Sequence, residues 1–295
     1  MVGVIAKYKV FVFILASLCI ADATLWYLVL QSQKVETGAE LYFLDIGQGD
    51  SQLVILPAGG GQAGSIKVLI DGGPTDAVLA NLAEIFSPID RRIDVVVTTH
   101  PQLDHFAGLV DVLNTYDVGV VVGNGRKGEI EPYREFHAAL INHKVPYVQL
   151  EEGDGIRIGD ARFDILAPNK QEVLSGELND TCIVALLTTP QFKALYTGDI
   201  GANIEERLVK DYNLDVDVLK VGHHGSRFSS SEAFLKELSP DIAVIEVGSK
   251  NTYGHPTKQA LERLGEFTQR ILRTDKDGLI KIEYASGGLA VYSVK

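Results

Sequence analysis

Apolar and polar residues follow two regimes along this chain. From Val10 to Leu30 the run VFVFILASLCIADATLWYLVL is apolar almost throughout, broken only by Ser17, Asp22 and Thr24. Roughly 20 apolar residues are what an α-helix needs to cross a bilayer. The polar stripe expected of a helix packed on a globular core is missing. Lys7 and Lys9 precede the run, and Trp26 and Tyr27 stand near its far end. That asymmetry predicts a single-pass signal-anchor in the cell membrane with a cytoplasmic N-terminus and an extracytoplasmic remainder. The alternative is a signal peptide cut after Ala21-Asp22-Ala23, which has the small-x-small form and would give a secreted chain. Cleavage there would leave LWYLVL as an apolar start, so the uncleaved anchor is favoured. Asp22 fits the anchor poorly, because a mid-membrane carboxylate is costly unless neutralised or paired.

From about Glu40 the pattern changes to short runs. LYFLDIG, SQLVIL and KVLIDGG read as strands broken by Gly and Asp. Gly59, Gly60, Gly61 and Gly64 mark a loop or hairpin tip. Val78, Leu79, Leu82, Ile85 and Phe86 recur at i, i+3, i+4 spacing and predict an amphipathic helix over 76–86. RRIDVVVTTH predicts a buried strand running into a polar loop, with a helix over 108–116 behind it. VGVVVGN, PYVQL, IRIGD and ARFDILAP add strands, and 133–143 a helix. In the second half CIVALLTT, KALYTGD, VDVLKVG and DIAVIEVG are strands, and 202–212, 231–238 and 257–267 helices. This alternation predicts an α/β chain with two sheets, each covered by helices on its outer face. The expected organisation is a short cytoplasmic 1–9, an anchor over 10–30, a polar linker over 31–39 and one domain over 40–295.

Composition narrows the class. Of 295 residues, 46% are hydrophobic and 22% charged, which suits a globular core and excludes a disordered or collagenous chain. Lys+Arg 27 against Asp+Glu 39 gives a net charge of −12, unlike a protein that holds nucleic acid on a broad basic face. A bound divalent metal can reverse that sign locally. Arg126, Lys127, Arg227, Lys250 and Lys258 fall near predicted loops, where they would form a local basic rim. Cys19 and Cys182 are too few for a disulfide framework, show no metal spacing, and are not expected to pair.

Polar residues collect where strands stop, the usual place for a site on a rigid base. HPQLDH follows IDVVVTT and puts His100, Asp104 and His105 within six positions. Imidazole nitrogen and carboxylate oxygen suit zinc or manganese, although Asp104 could equally cap the following helix. Asp199 closes KALYTGD, where a carboxylate can bridge two ions or merely shape a turn. His223 and His224 lie between Gly222 and Gly225 after VDVLKV, and His255 follows in YGHP. His137 and His143, in a predicted helix and its exit, read as surface residues. No P-loop, Rossmann fingerprint or nucleophile elbow is present: DIGQGD is not G-x-G-x-x-G opening a helix, and Ser226 lacks G-x-S-x-G around it.

HPQLDH, TGD and HHGS in this order, preceded by DIGQGDS and VLIDGG, resemble the metallo-β-lactamase superfamily. More narrowly they resemble the extracytoplasmic domain of ComEC-type competence proteins, over nearly everything from Leu41 onward. The resemblance implies a four-layer αββα metallo-β-lactamase sandwich, here behind one transmembrane helix, with a dinuclear site along one edge of the sheets. It carries His100, Asp104 and His105 over as ligands, Asp199 as the bridging carboxylate, and either His223 or His224 as the late His. Asp180, in the Leu178–Cys182 stretch, is a weaker ligand candidate. Asp45, Asp50 and Asp71 match supporting positions that shape turns or orient ligands. Gln102 departs from the family, which has His or Asp there, so one firm and one weaker Zn2+ or Mn2+ site are expected. The implied activity is metal-dependent ester hydrolysis by a phosphodiesterase or nuclease using a metal-bound hydroxide. Asp104 would orient that hydroxide, and His255 or the spare His would protonate the leaving group. Ser226 and Gly225 would contact the phosphate. The substrate expected is a phosphodiester, with DNA as the leading candidate, and no protein partner is evident. Rival readings are a cell-envelope phosphodiesterase of the phosphorylcholine type and a degenerate, membrane-tethered binding domain.

Overall fold

The computed structural model describes residues 2–32, 38–59 and 64–295, with the side chains of 12–27, 38–59 and 64–295. The turn expected at Gly60 and Gly61 and most of the linker expected over 31–39 lie outside them. The chain divides into two compact units, Met1–Glu36 and Thr37–Lys295.

The first unit is the helix α1 (Val2–Ser32). Its described side chains are exposed, Phe13 by 74% and Trp26 by 60%. Among the described residues no helix is long and apolar enough to cross a membrane, so the transmembrane expectation for 10–30 gains no support from the structure.

The second unit runs β1 (Glu40–Phe43), β2 (Gln52–Pro57), β3 (Ser65–Ile70), α2 (Ala77–Ile85), β4 (Arg92–Thr98), α3 (Leu103–Phe106), α4 (Leu109–Thr115), β5 (Asp117–Gly123), α5 (Glu131–Asn142) and β6 (Tyr147–Gln149). It continues with β7 (Gly155–Ile158), β8 (Ala161–Ala167), β9 (Val184–Thr188), β10 (Lys193–Tyr196), α6 (Ala202–Asp211), β11 (Val218–Lys220), α7 (Glu232–Leu238) and β12 (Ile242–Ile245). It ends with α8 (Lys258–Phe267), β13 (Arg270–Arg273), α9 (Thr274–Asp277), β14 (Leu279–Ala285) and β15 (Gly288–Val294).

Two sheets result, ordered β15-β14-β1-β2-β3-β4-β5-β6 and β13-β12-β11-β10-β9-β8-β7. Each is antiparallel in one half and parallel in the other: β3 to β6 in the first, β10 to β13 in the second. Phe43, Val97, Phe163, Leu187, Tyr196 and Val244 fill the space between the sheets. Leu82, Val112 and Phe136 of α2, α4 and α5 pack on the outer side of the first sheet. Ile204, Leu235 and Leu264 of α6, α7 and α8 do so on the second. The expected helix–sheet–sheet–helix layering is therefore present, and each fully buried Leu or Phe contributes about 1.5–3 kcal/mol.

The parallel halves matter most for the site. β3, β4, β10, β11 and β12 all deliver polar residues just past their carboxyl ends, where open α/β sheets place ligands. Two features depart from the sequence expectation. The stretch after His100 holds the short helix α3 rather than only a loop. β14 and β15 form an unforeseen hairpin through Ser286 and Gly287, both at positive φ (53° and 88°), as a two-residue hairpin turn requires. β14 then pairs with β1 and closes the first sheet.

Candidate metal centre

Asp71, immediately after β3, ties three elements together. It accepts hydrogen bonds from Thr99 N (2.8 Å) and Thr99 Oγ1 (2.6 Å) after β4, and its Oδ2 lies 2.7 Å from His105 Nδ1 on α3. The His105 carbonyl accepts in turn from Gly72 N at 2.6 Å. This partner fixes the His105 ring and turns Nε2 inward, as carboxylates behind metal-binding imidazoles do. His100 and His224 are held by the same logic. His100 Nδ1 lies 3.0 Å from Thr99 Oγ1, and His224 Nδ1 lies 2.9 Å from the Glu246 carbonyl.

The opposite nitrogens, Nε2 of His100, His105 and His224, are all buried without a hydrogen-bond partner, as is Asp199 Oδ1. Buried polar atoms are nearly always paired, so their convergence calls for a cation. His105 Nε2 stands 3.3 Å from Asp199 Oδ2, and His224 Nε2 stands 3.4 Å from both Asp199 Oδ2 and Asp104 Oδ2. Ligand atoms within 4.8 Å of one another group as His100, His105 and Asp199, as Asp104, His105 and His224, and as Asp50, Asp199 and His224. Imidazole and carboxylate in this arrangement fit a divalent metal.

The GHHG turn separates the two histidines left open by the sequence. His223 and His224 both adopt left-handed backbone, φ 49° and 52°, a strained geometry typical of functional sites. His224 turns down into the ligand cluster. His223 faces the cavity, its Nδ1 3.2 Å from Asn179 Nδ2, and joins none of the ligand groups.

Asp180 is not brought into the ligand cluster. Its oxygens accept from Ser175 Oγ (2.8 Å) and Asn203 Nδ2 (2.8 Å), away from the cavity. In the tight turn Leu178–Thr181 adjacent side chains fan apart, so Asn179 takes the inward position and leaves its Oδ1 buried and unpaired. Asp45 is also remote: it is exposed and its backbone bonds to Asn81. Ser226 is buried with Oγ accepting from Phe228 N, and neither it nor Gly225 lines the cavity described below.

Lys220 was not anticipated as part of the site. It sits fully buried on β11, paired with Asp50, 3.7 Å from Asp199 Oδ1 and donating to the Gly198 carbonyl at 3.0 Å. A lone Lys inside the apolar VLKV run was the available signal. Burial alone would raise Asp50 and Asp199, but Lys220 and His224 for Asp50, and His224, His105 and Lys220 for Asp199, hold both below the ordinary carboxylate range. Burial alone would lower His224, yet Asp199 and Asp50 push it up to about 10. Burial beside His105 pushes His100 down to about 3, so that ring is neutral and free to donate a lone pair. Asp104 would rise on burial but is held at about 2 by His224 and His105.

Above this floor lies an open cavity of about 390 Å³ lined by Gln48, Gln102, Asp104, Asn179, His223 and His255, among others. His255 stacks edge-on to His223 at 5.7 Å and belongs to no ligand group. The expected basic rim is not assembled: none of its five residues lines the cavity. Arg126 donates to the Val173 carbonyl, Arg227 lies 4.8 Å over Phe228, and Lys258 pairs with Glu262. Both cysteines are free, Cys19 exposed and Cys182 buried. His137 and His143 are exposed, as expected.

Comparison with known proteins agrees with this geometry. The chain is 30% identical to ComE operon protein 3 of Bacillus subtilis (strain 168) over 289 residues, which is 91% of this chain and 36% of that protein. It is 30% identical to competence protein ComA of Neisseria gonorrhoeae, over 86% of this chain and 33% of that one. It therefore spans about a third of these relatives and bears out the likeness to ComEC-type proteins. Among solved structures, the metallo-beta-lactamase fold protein YhfI from Bacillus subtilis superposes with a TM-score of 0.55 at 14% identity, covering 87% of this chain and all (100%) of that one. A long-form RNase Z from yeast gives 0.54 at 13%, covering 88% of this chain and 42% of that one. These two share the fold. Residues 62–248 match the metallo-beta-lactamase superfamily, and with its ligand motifs gathered at one edge of the two sheets the chain belongs to that superfamily.

Proposed function

We propose that this cavity hydrolyses phosphodiesters of nucleic acid with a divalent metal, zinc or manganese, held by Asp104, His105, His224 and Asp199. The observation that carries this reading is the meeting of unpaired, buried Nε2 atoms of His100, His105 and His224 with Asp199 Oδ1 beneath one open cavity. When bound, such an ion supplies Lewis-acid polarisation of a phosphoryl oxygen and lowers the pKa of water. Asp104 reaches the cavity with 30% of its side chain exposed and stays ionised, so it can accept a hydrogen bond from an attacking water and orient it. Burial, with His223 and His224 nearby, lowers His255, leaving an uncharged ring able to relay a proton between leaving oxygen and solvent. Gln102 lines the cavity with a neutral amide beside His100, which favours one firmly held ion over two. The name of one relative, a competence protein, lends support to nucleic acid as the substrate. Placement outside the cytoplasm rests on the sequence of 10–30 alone.

The test uses the full chain purified without chelator. Elemental analysis is followed by assays on bis-p-nitrophenyl phosphate and single-stranded DNA with zinc or manganese added. Cleavage of both, lost in His105→Ala, supports the reading. Cleavage of the small ester alone points to an envelope phosphodiester. Bound metal with neither ester cleaved sinks the hydrolase reading, and absence of metal points to the binding domain that Gln102 suggests.

A further inference from the structure

The cavity wall away from the ligands is built by two loops that hold each other. Gln48 lies between β1 and β2, and its Oε1 accepts from Gly248 N at 3.2 Å. A Cβ at Gly248 would sit 2.7 Å from Gln48 N, so glycine permits the approach. With Oε1 engaged, Gln48 Nε2 is left buried in the cavity lining without a partner. A buried, unpaired amide donor demands an acceptor, and the residue that carries it lines the cavity.

The loop that holds Gln48 also carries Tyr253 and His255. Asn251 pins it, donating to the carbonyls of Gly248 and His255 (both 2.8 Å) and accepting from His255 N at 3.0 Å. The Tyr253 ring lies nearly parallel to that of His255, at 13° and 6.0 Å between centroids, and is 69% exposed at the cavity mouth. One ring face is turned to His255 and the other is open.

Resting on the phosphodiesterase reading above, we propose that this wall is a nucleoside subsite: the open face of Tyr253 stacks the base next to the scissile phosphate, while Gln48 Nε2 donates to an oxygen of the same nucleoside. A single open ring suits a flat base of any identity. A quaternary ammonium is instead enclosed by several aromatic faces, which this rim does not offer.

The test compares three chromogenic esters on the full chain: thymidine 5′-(p-nitrophenyl phosphate), methyl p-nitrophenyl phosphate and p-nitrophenylphosphorylcholine. The quantity read is the ratio of kcat/KM for the thymidine ester to that for the methyl ester, which cancels any general loss of active protein. Wild type prefers the thymidine ester. Tyr253→Ala lowers the ratio about fivefold or more, chiefly through KM, the low end for losing one base–aromatic stack. Tyr253→Phe keeps it. Gln48→Glu, which retains the acceptor for Gly248 but removes the donor, lowers it as well. If the methyl ester is cleaved but the ratio is near one, or is unmoved in Tyr253→Ala, the subsite is refuted while phosphodiesterase activity stands. A Tyr253-dependent preference for the phosphorylcholine ester overturns the nucleoside in favour of a cationic headgroup. If no ester is cleaved, the functional reading fails and takes the subsite with it.

Discussion

Replacing Lys220 by Met tests the electrostatic account of the centre most directly. The side chain keeps its bulk on β11, so packing changes little, but the ammonium between Asp50 and Asp199 disappears. Removing one partner of a buried ion pair costs about 3–5 kcal/mol, because the remaining charge is stranded. Lys220 serves two such carboxylates and also the Gly198 carbonyl, whose lost hydrogen bond adds about 1 kcal/mol. A loss of about 4–6 kcal/mol is therefore expected, a large part of the roughly 5–15 kcal/mol typical of a domain. With a urea m-value near 3 kcal/mol/M, the midpoint should fall by about 1.3–2 M. Circular dichroism in the presence of EDTA is the suitable probe, since the single tryptophan lies in α1. The pH dependence has a definite sign. Asp50 and Asp199 are held below the ordinary carboxylate range, so they contribute stability at neutral pH that is lost as pH falls through their folded values. Without Lys220 those carboxylates take up protons more readily, and the deficit of the variant should be largest at pH 7–8 and shrink towards pH 5. A loss under about 1 kcal/mol, or the same deficit at pH 8 and pH 5, would refute the account.

Two further outcomes follow from the same geometry. His105 belongs to the His100–Asp199 group and to the Asp104–His224 group, so His105→Ala should empty both, whereas Gln102→His should raise metal content above that of wild type; elemental analysis decides, and unchanged content in both variants contradicts the assignment. At Gly49 (φ 139°) an added Cβ would sit 2.3 Å from the Asp104 carbonyl, whereas at Gly47 (φ 82°) it meets nothing within 4 Å. Gly47→Ala should cost only the left-handed penalty of about 1–2 kcal/mol, and Gly49→Ala should cost more and weaken metal binding besides; equal melting temperatures would count against the turn's role.

The fold was legible where hydrophobic period and strand length agreed. The helices α2, α5, α6 and α8 present regular apolar faces, and the strands leading to Asp71, His100 and Asp199 are continuous apolar runs. β13 and β14 were not, because Arg270, Arg273, Lys281 and Glu283 interrupt them; these strands lie towards the sheet margins, where charged residues are tolerated. The ligand residues could be read because HPQLDH and HHGS keep unusual chemistry close together in sequence. What could not be read depends on side-chain direction. The choice between His223 and His224 follows from two left-handed residues in succession, and that between Asn179 and Asp180 from which side of one tight turn faces inward. Lys220 escaped notice because Asp199 reaches it only through the pairing of β10 with β11, and Asp50 only when the two sheets are stacked.

That stacking sets an order of events. Asp104 and His105 follow a strand of the first sheet, Asp199 and His224 strands of the second, so the proposed set of four is complete only when both are present. A chain with only one half assembled, whether newly made or partly unfolded, would hold only part of that set. On the proposed reading, an ion held by all four would bind only after both halves have closed and would then clasp them together.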